Sequence, residues 1–599
     1  GCWEEEGTRE DMTEIWRSLK GAVKAGDAAA QALGPAGSNV VGLRGLSSWQ
    51  EILEQEDWLG SECCRRILWE TNKQMERRAG GMTTLLVMLG GCVQGIRELL
   101  KGSSRKVDLL KITRAVSEQG ERYLEDVVIP CLRRCEIVNE GWDWMMLAGA
   151  ILRTSMSRQR SERSRSKCAD IICDWLKASL PSPDEVRLKD LPRTMPIITE
   201  AGAGIQESYV VSGFVMYGRI IHCEAPYLEN ALFVVVDFTL DLHTVQDSTG
   251  CEQEIAGGRK EESLRMLERQ VEEQIRILAR GGVQVVVCTT DVGELGRSLL
   301  VRWNLQTIVT VDRKQALSLC DFCRMSPITS PITSASRLQQ HIGRCSNCTL
   351  GYVGVSSMVH LAVDESPDGF EPHTIVLREV VPEDSRLVVV SMQQAYSKLV
   401  LWLESLLLHE CPCPSRSGLV PGAGAAELAV WRELESEEAL DKSPSSCAAI
   451  LSCIFRHAAA AVPLALLNNA ARSNSESSKD IRLLPSLAAH KSLPPQGIVI
   501  TSTCYVGLRP GVSSSSKGPS QFCKGSALGD PVAVGIVEPL KIKEDLYRML
   551  LSALTLLVRI DQVLHVRGSI QRRKESRDAY LERRGSDESE EEGWNEEGE

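Results

Sequence analysis

Apolar positions recur at three- and four-residue spacing from about residue 11 to Met156, the pattern of helices that bury one face. The spacing predicts a helix over 11–34, closed by the turn Leu33-Gly34-Pro35-Ala36-Gly37. A longer helical stretch runs from about Ser47 to Arg78 and is interrupted by Ala79-Gly80-Gly81-Met82-Thr83-Thr84. Leu85–Leu100 is apolar and helical again, followed by helices over Glu118–Arg133 and Trp142–Met156. The arginines and serines of Arg158–Lys167 read as a solvated loop between two helices.

After about residue 207 the period shortens. Ser208–Tyr217 and Leu232–Asp237 are rich in β-branched residues and read as strands. Glu261–Ala279 carries Leu264, Leu267, Val271, Ile275 and Leu278 on one helical face. Strand Val283–Cys288, helix Gly293–Trp303, strand Thr307–Val311 and helix Lys314–Cys323 follow in alternation, the signature of an α/β unit. From Gln394 onward the pattern is helical once more. Ser473–Pro495 and Arg509–Gly525, rich in Ser, Gly and Pro, read as loops. Residues 586–599 hold eight acidic residues and no basic one, which predicts a disordered acidic tail. The order helical, α/β, helical predicts a discontinuous helical base with a mixed domain inserted in its middle.

Composition narrows the function. The chain has 599 residues, 43% apolar and 25% charged, as in a globular protein of several domains. Its net charge of −12 argues against a general nucleic-acid binder, which needs a basic face. No apolar run was found to reach the roughly 18 to 20 residues of a membrane helix, Ala458–Leu467 being the nearest, so no membrane partner is expected. Residues 1–20 are acidic and lack the apolar stretch of a signal peptide. With 21 cysteines spread along a long chain, a reducing compartment with free thiols and a cytoplasmic location are expected.

Four segments suggest chemistry. Leu33–Gly37 and Gly80–Thr84 are Gly-containing turns beside helices, able to turn backbone N–H groups toward phosphate oxygens. The third is Val420-Pro421-Gly422-Ala423-Gly424-Ala425-Ala426-Glu427-Leu428. The fourth is Gly535-Ile536-Val537-Glu538-Pro539-Leu540-Lys541-Ile542-Lys543, with Arg559-Ile560-Asp561 beyond it. In this order, with the helical Ile454–Ala471 and the strand Glu229–Asp237, they resemble the group II chaperonins, from about residue 14 to about 567. The resemblance implies an α+β multidomain chaperonin fold. A discontinuous helical equatorial domain (1–140 and 419–570) would flank an intermediate domain (141–212 and 361–418), with an inserted α/β apical domain (213–360) and an acidic tail (571–599). It further implies a subunit of a hetero- or homo-oligomeric ring that holds non-native client proteins. Exposed apolar side chains on the helices Glu261–Ala279 and Lys314–Cys323 would form the client surface. ATP or ADP with Mg²⁺ would be the cofactor, bound by Gly34, Pro35, Gly37, Thr83, Thr84, Gly422 and Gly424, with Glu538 on the ribose.

The chain departs from that pattern where hydrolysis is carried out. Phosphoryl transfer needs carboxylates to hold Mg²⁺ and orient water. The family's acid in the Gly-rich helix start falls on Gly81. Its Asp-Gly-Ala-Thr stretch has no counterpart in residues 44–54. Its intermediate-domain acid aligns with Lys398. No catalytic residue is therefore assigned, and nucleotide binding with weak or lost hydrolysis is expected. The bland alternative is that the glycines serve tight turns only. The segment Arg78–Gly91 is also similar to the chaperonin-like proteins of the McKusick–Kaufman and Bardet–Biedl group, whose ATPase motifs are degraded.

Other features point elsewhere. Cys320-x2-Cys323, 21 residues, and Cys345-x2-Cys348, with His341 nearby, approach a four-thiolate zinc spacing. Because Cys320 and Cys323 fall on a helix the fold has anyway, structural thiols are the stronger reading and no metal residue is assigned. A second class of function, a non-folding scaffold or assembly factor with chaperonin architecture, would use the acidic tail and the basic stretch Arg158–Lys167 for docking.

Overall fold

The computed structural model describes residues 14–34, 41–42, 45–46, 49–54, 59–78, 80–101, 108–138, 143–156, 162–180, 195–240, 260–332, 335–353, 356–363, 371–379, 382–408, 417–438, 446–473, 497–498, 528–529, 531–532 and 534–559. The predicted loops Ser473–Pro495 and Arg509–Gly525 and the acidic tail lie almost wholly outside them.

One apolar cluster unites the two ends of the chain. It joins Leu19, Leu68, Leu85, Leu86 and Leu132 from the first part to Val420, Phe455, Ala458, Tyr547 and Leu554 from the last. Helices Glu14–Ala32, Met82–Lys101 and Cys447–Ser473 make its centre. They approach backbone to backbone. A Cβ on Gly26 would lie 2.9 Å from the Gly90 Cα, and one on Gly91 would lie 2.5 Å from the His457 carbonyl oxygen. Small residues at the crossings are what permit this approach. Met82–Lys101 and Cys447–Asn469 are in fact long and apolar enough to cross a membrane by length and composition, which corrects the sequence reading. With 67% and 72% of their most apolar stretches buried, they are core helices here.

The stretch read as one helix from Ser47 to Arg78 is two, Trp49–Glu54 and Glu62–Arg77. Gly60 has φ +73°, and Ser61 opens the second helix, its hydroxyl accepting from the Cys64 amide at 3.2 Å. Glu62 in the first turn pairs with Arg65 and Arg66. From Leu109 to Arg134 the chain is helical with two π-helical stretches, Ala115–Gln119 and Leu124–Val128. The second directly precedes Pro130, which has no amide to give to the preceding turn. The basic stretch Arg158–Lys167 is not a loop throughout, since helix Glu162–Ser179 takes up its second half.

A second cluster packs helices Trp144–Ser155, Glu162–Ser179 and Pro382–Leu408 against a three-stranded sheet. In that sheet His373–Glu379 lies between Ile197–Ala201, parallel to it, and Tyr209–Ser212, antiparallel to it. Trp175 stands edge-on to Tyr396 at 5.4 Å and donates its indole N–H to the His373 carbonyl at 2.7 Å.

The inserted region is a seven-stranded mixed sheet. Its order is Phe214–Tyr217, Ser356–Ala362, Ile342–Val353, Tyr227–Val236, Val285–Cys288, Gln306–Val309 and Arg219–His222. Tyr227–Val236, Val285–Cys288 and Gln306–Val309 are parallel. Their side chains alternate. Phe233, Val235, Val285 and Val287 meet helix Arg313–Phe322 through Ala316 and Leu319. Val234, Val236 and Val286 meet helices Lys260–Arg280 and Glu294–Arg302 through Ile275, Leu278 and Leu300. Burial on both faces explains the unbroken apolar runs. The expected strand Ser208–Tyr217 is split at Gly213, φ +85°, and its halves enter different sheets.

Candidate functional site

The predicted phosphate-facing loops converge where the two clusters of the base and middle regions meet. Strand Leu419–Pro421 pairs antiparallel with Val537–Pro539, Val420 opposite Glu538. The chain then turns through Gly422, Ala423 (φ +56°) and Gly424 (φ +78°) into helix Ala425–Glu438. A Cβ on Gly422 would lie 3.0 Å from Ile536 Cγ2 and 3.2 Å from Glu538 Oε1, so glycine is needed for the loop to lie on the strand. Gly34, φ +79°, borders Leu466, whose Cδ2 a Cβ would meet at 2.5 Å. Gly424 borders the same Leu466 and Pro463. Gly34, Gly422, Gly424 and Glu538 are thus brought into one corner. Pro35 and Gly37 lie outside the described residues.

The Gly80–Thr84 turn enters the same corner. Gly80 and Gly81, φ +82° and +104°, end one helix and start the next, Met82–Lys101. A Cβ on Gly80 would face Gln394, and one on Gly81 would face Met75 and Leu546. Thr83 is buried and its hydroxyl accepts from the Trp49 indole at 2.8 Å, so it is engaged within the fold. Thr84 is half-buried.

A buried lysine holds the corner together. Lys543, in the first turn of helix Leu540–Val558, places Nζ 2.5 Å from Glu427 Oε1 and 2.6 Å from Glu538 Oε2. Burial works against the ammonium, but the two carboxylates push its pKa above the usual lysine value. Burial likewise opposes the Glu538 carboxylate. The charge and hydrogen bond of Lys543, with the charge of Lys398, hold its pKa below the usual one. Glu427 is fully buried, and its Oε2 has no hydrogen-bond partner among the described residues. Lys543 and Glu427 carry no role in the sequence reading. Their only signal is a Glu in the first turn of one helix and a Lys in the first turn of another.

Lys398, on helix Pro382–Leu408, is half-buried and one helical turn beyond Gln394, on the same face. Gln394 borders Gly80, and the charge of Lys398 is felt at the Glu538 carboxylate. The chemistry on offer is therefore a set of left-handed turns opening two helices, a carboxylate bridged to lysine, and a second lysine. The profile of the TCP-1/cpn60 chaperonin family matches residues 62–567.

The chain belongs to that family. It is 20% identical over 505 residues to the thermosome subunit beta of Methanothermobacter thermautotrophicus, covering 83% of this chain and 81% of that one. To the T-complex protein 1 subunit gamma of Macaca fascicularis it is 22% identical over 508 residues, with the same shares covered. A crystal structure of a group III chaperonin in the open state matches with a TM-score of 0.60 at 18% identity, over 92% of this chain and 98% of that one. The fold is the α+β multidomain fold of a chaperonin subunit, and the low identities mark a diverged member.

The remaining expectations fare differently. Helix Lys260–Arg280 shows Met266 71% exposed while Val271, Ile275 and Leu278 are buried. Helix Arg313–Phe322 does not match the expected apolar face. Its exposed residues are Arg313, Lys314 and Asp321, and Gln315 donates to the Ile197 carbonyl of the middle sheet at 3.0 Å. At the cysteine spacing, burial pushes the Cys320 and Cys323 thiols up to about 12. The Cys348 thiol is pushed up further by its hydrogen bond with Cys345 and by burial. His341 Nδ1 lies 2.7 Å from the Ser326 carbonyl oxygen. No group of three metal-competent side chains is found among the described residues.

Proposed function

We propose that this chaperonin-family protein is a group II-type subunit that holds non-native client proteins within an oligomeric ring, binds nucleotide, and hydrolyses it weakly or not at all. On this reading, the base made of 1–140 and 419–570 is the equatorial domain, 141–212 with 361–418 the intermediate domain, and 213–360 the apical domain. The 21 cysteines, spread along a long chain, support a reducing, cytosolic setting. The adenine nucleotide would lie in the corner bounded by Gly34, Thr83, Thr84, Gly422 and Gly424, and Pro35 and Gly37, outside the described residues, would complete the set. Glu538 would lie at the ribose. Glu427 Oε2, an orphaned buried acceptor beside that corner, is consistent with a hydroxyl-bearing ligand.

The observation that carries the loss of hydrolysis is the charge at Lys398. An ammonium cannot ligate Mg²⁺ or take a proton from water. The carboxylates of the corner, Glu427 and Glu538, are both bound to Lys543. Nucleotide affinity and phosphate release should be measured separately on one purified sample. Affinity without release is the expected result. Release at the rate of a working chaperonin would sink the reading, and neither affinity nor release would leave the scaffold alternative.

A further inference from the structure

A carboxylate needs a divalent cation before it can face a phosphate, and Lys398 needs none. An aspartate holding Mg²⁺ contributes a net charge of +1 to its site, and a protonated lysine contributes +1 by itself. Lys398 stands one helical turn beyond Gln394, which borders Gly80 of the Gly-rich helix start, and its charge is felt at the Glu538 carboxylate. The rest of the corner does not fit a metal. Gly81 brings no side chain to the Gly-rich helix start. Glu427 and Glu538 each give one oxygen to the Lys543 ammonium, at 2.5 and 2.6 Å. An acid at the Lys398 position would add negative charge to the field at Glu538, a field that repels an anionic ligand unless a cation intervenes. The first turns of helices Met82–Lys101 and Ala425–Glu438, which follow the Gly80–Gly81 and Gly422–Gly424 turns, add amide donors, a sequence-independent attraction for anions.

We infer that this site takes the polyphosphate of a nucleotide without a metal ion, Lys398 being the residue that replaces the ion's charge. The inference rests on the nucleotide-binding reading above. It makes Lys398 a binding residue and not a catalytic one. It also predicts a nucleotide complex that persists at millimolar chelator, unlike a metal-bridged one.

The test is equilibrium binding of ATP and ADP to the full chain by calorimetry, in excess Mg²⁺ and in excess EDTA. Wild-type affinities should agree within about threefold between the two conditions. Lys398→Asp should lower affinity in EDTA by at least about tenfold, as expected for loss of a charge-assisted contact and its replacement by repulsion. Part of that loss should return when Mg²⁺ is added. Lys398→Gln should fall between the two, and the unfolding midpoint of each variant shows whether it is folded. Wild-type binding that requires Mg²⁺ overturns the inference and leaves the nucleotide reading standing. So does a Lys398→Asp protein that binds in EDTA as the wild type does. Absence of binding in both conditions overturns both.

Discussion

The helical base and the inserted sheet bury their apolar side chains by opposite means. In the base, segments several hundred residues apart close on one another, and glycines at the crossings let backbones touch. In the insertion, the three parallel strands at the centre of a mixed sheet alternate their side chains between two helical layers. The chemistry divides in the same way. The base carries buried charge, with Lys543 between Glu427 and Glu538. The insertion carries buried thiols, Cys288, Cys320, Cys345 and Cys348. A buried charge network depends on every partner, whereas a layered apolar sheet tolerates gradual change. The two regions should therefore fail differently.

The largest effect is expected at the lysine. Lys543→Met leaves two carboxylates facing each other without a cation and should cost about 3–5 kcal/mol in denaturant unfolding. A double change with Glu427→Leu should recover part of that loss. A deficit equal to the sum of the singles would show that the pair is not coupled. The pH profile has a definite sign. Lys543 has a raised pKa, so its contribution is complete below the ordinary lysine value and is lost as pH rises through the higher folded one. Glu538 has a lowered pKa, so its contribution is complete above the ordinary glutamate value and is lost as pH falls through the folded one. Stability from the corner should thus be flat around neutrality and fall at both extremes, as read by unfolding at stepped pH.

Gly91→Ala tests the close crossing of the base. The new methyl meets the His457 carbonyl, which should cost about 1–3 kcal/mol and lower the thermal midpoint. In the insertion, Val286→Thr puts a hydroxyl into the apolar layer that holds Ile275, Leu278 and Leu300. It should cost a comparable 1–3 kcal/mol or so, with nucleotide affinity unchanged. A matching loss of affinity would show that the two regions are energetically one. The smallest effect is expected at the surface. Glu62→Gln removes two exposed ion pairs with Arg65 and Arg66 and should change stability by a few tenths of a kcal/mol, roughly.

Much of the architecture was legible along the chain, because a buried helix face and a strand buried on both sides impose periods on sequence. Helix Lys260–Arg280 and strand Val285–Cys288 are placed by such local pattern within a residue or two. Breaks were harder to see. The interruption before Ser61 and the split at Gly213 depend on left-handed backbone at a single residue, and a lone glycine does not announce its φ. The apolar runs Met82–Lys101 and Cys447–Asn469 were likewise undecidable alone, since a membrane and a protein core ask for the same composition.

By itself the sequence determined the order of helical and mixed segments and the family pattern of turns around Gly34, Gly80, Gly422 and Glu538. Only the tertiary structure decided that Lys543 bridges Glu427 and Glu538, that Thr83 is engaged by Trp49, and that helix Arg313–Phe322 turns its apolar side inward. The reason is physical. Periodicity reports which residues leave water, but the pairing of charges and donors depends on distances between segments more than a hundred residues apart, which no local pattern encodes.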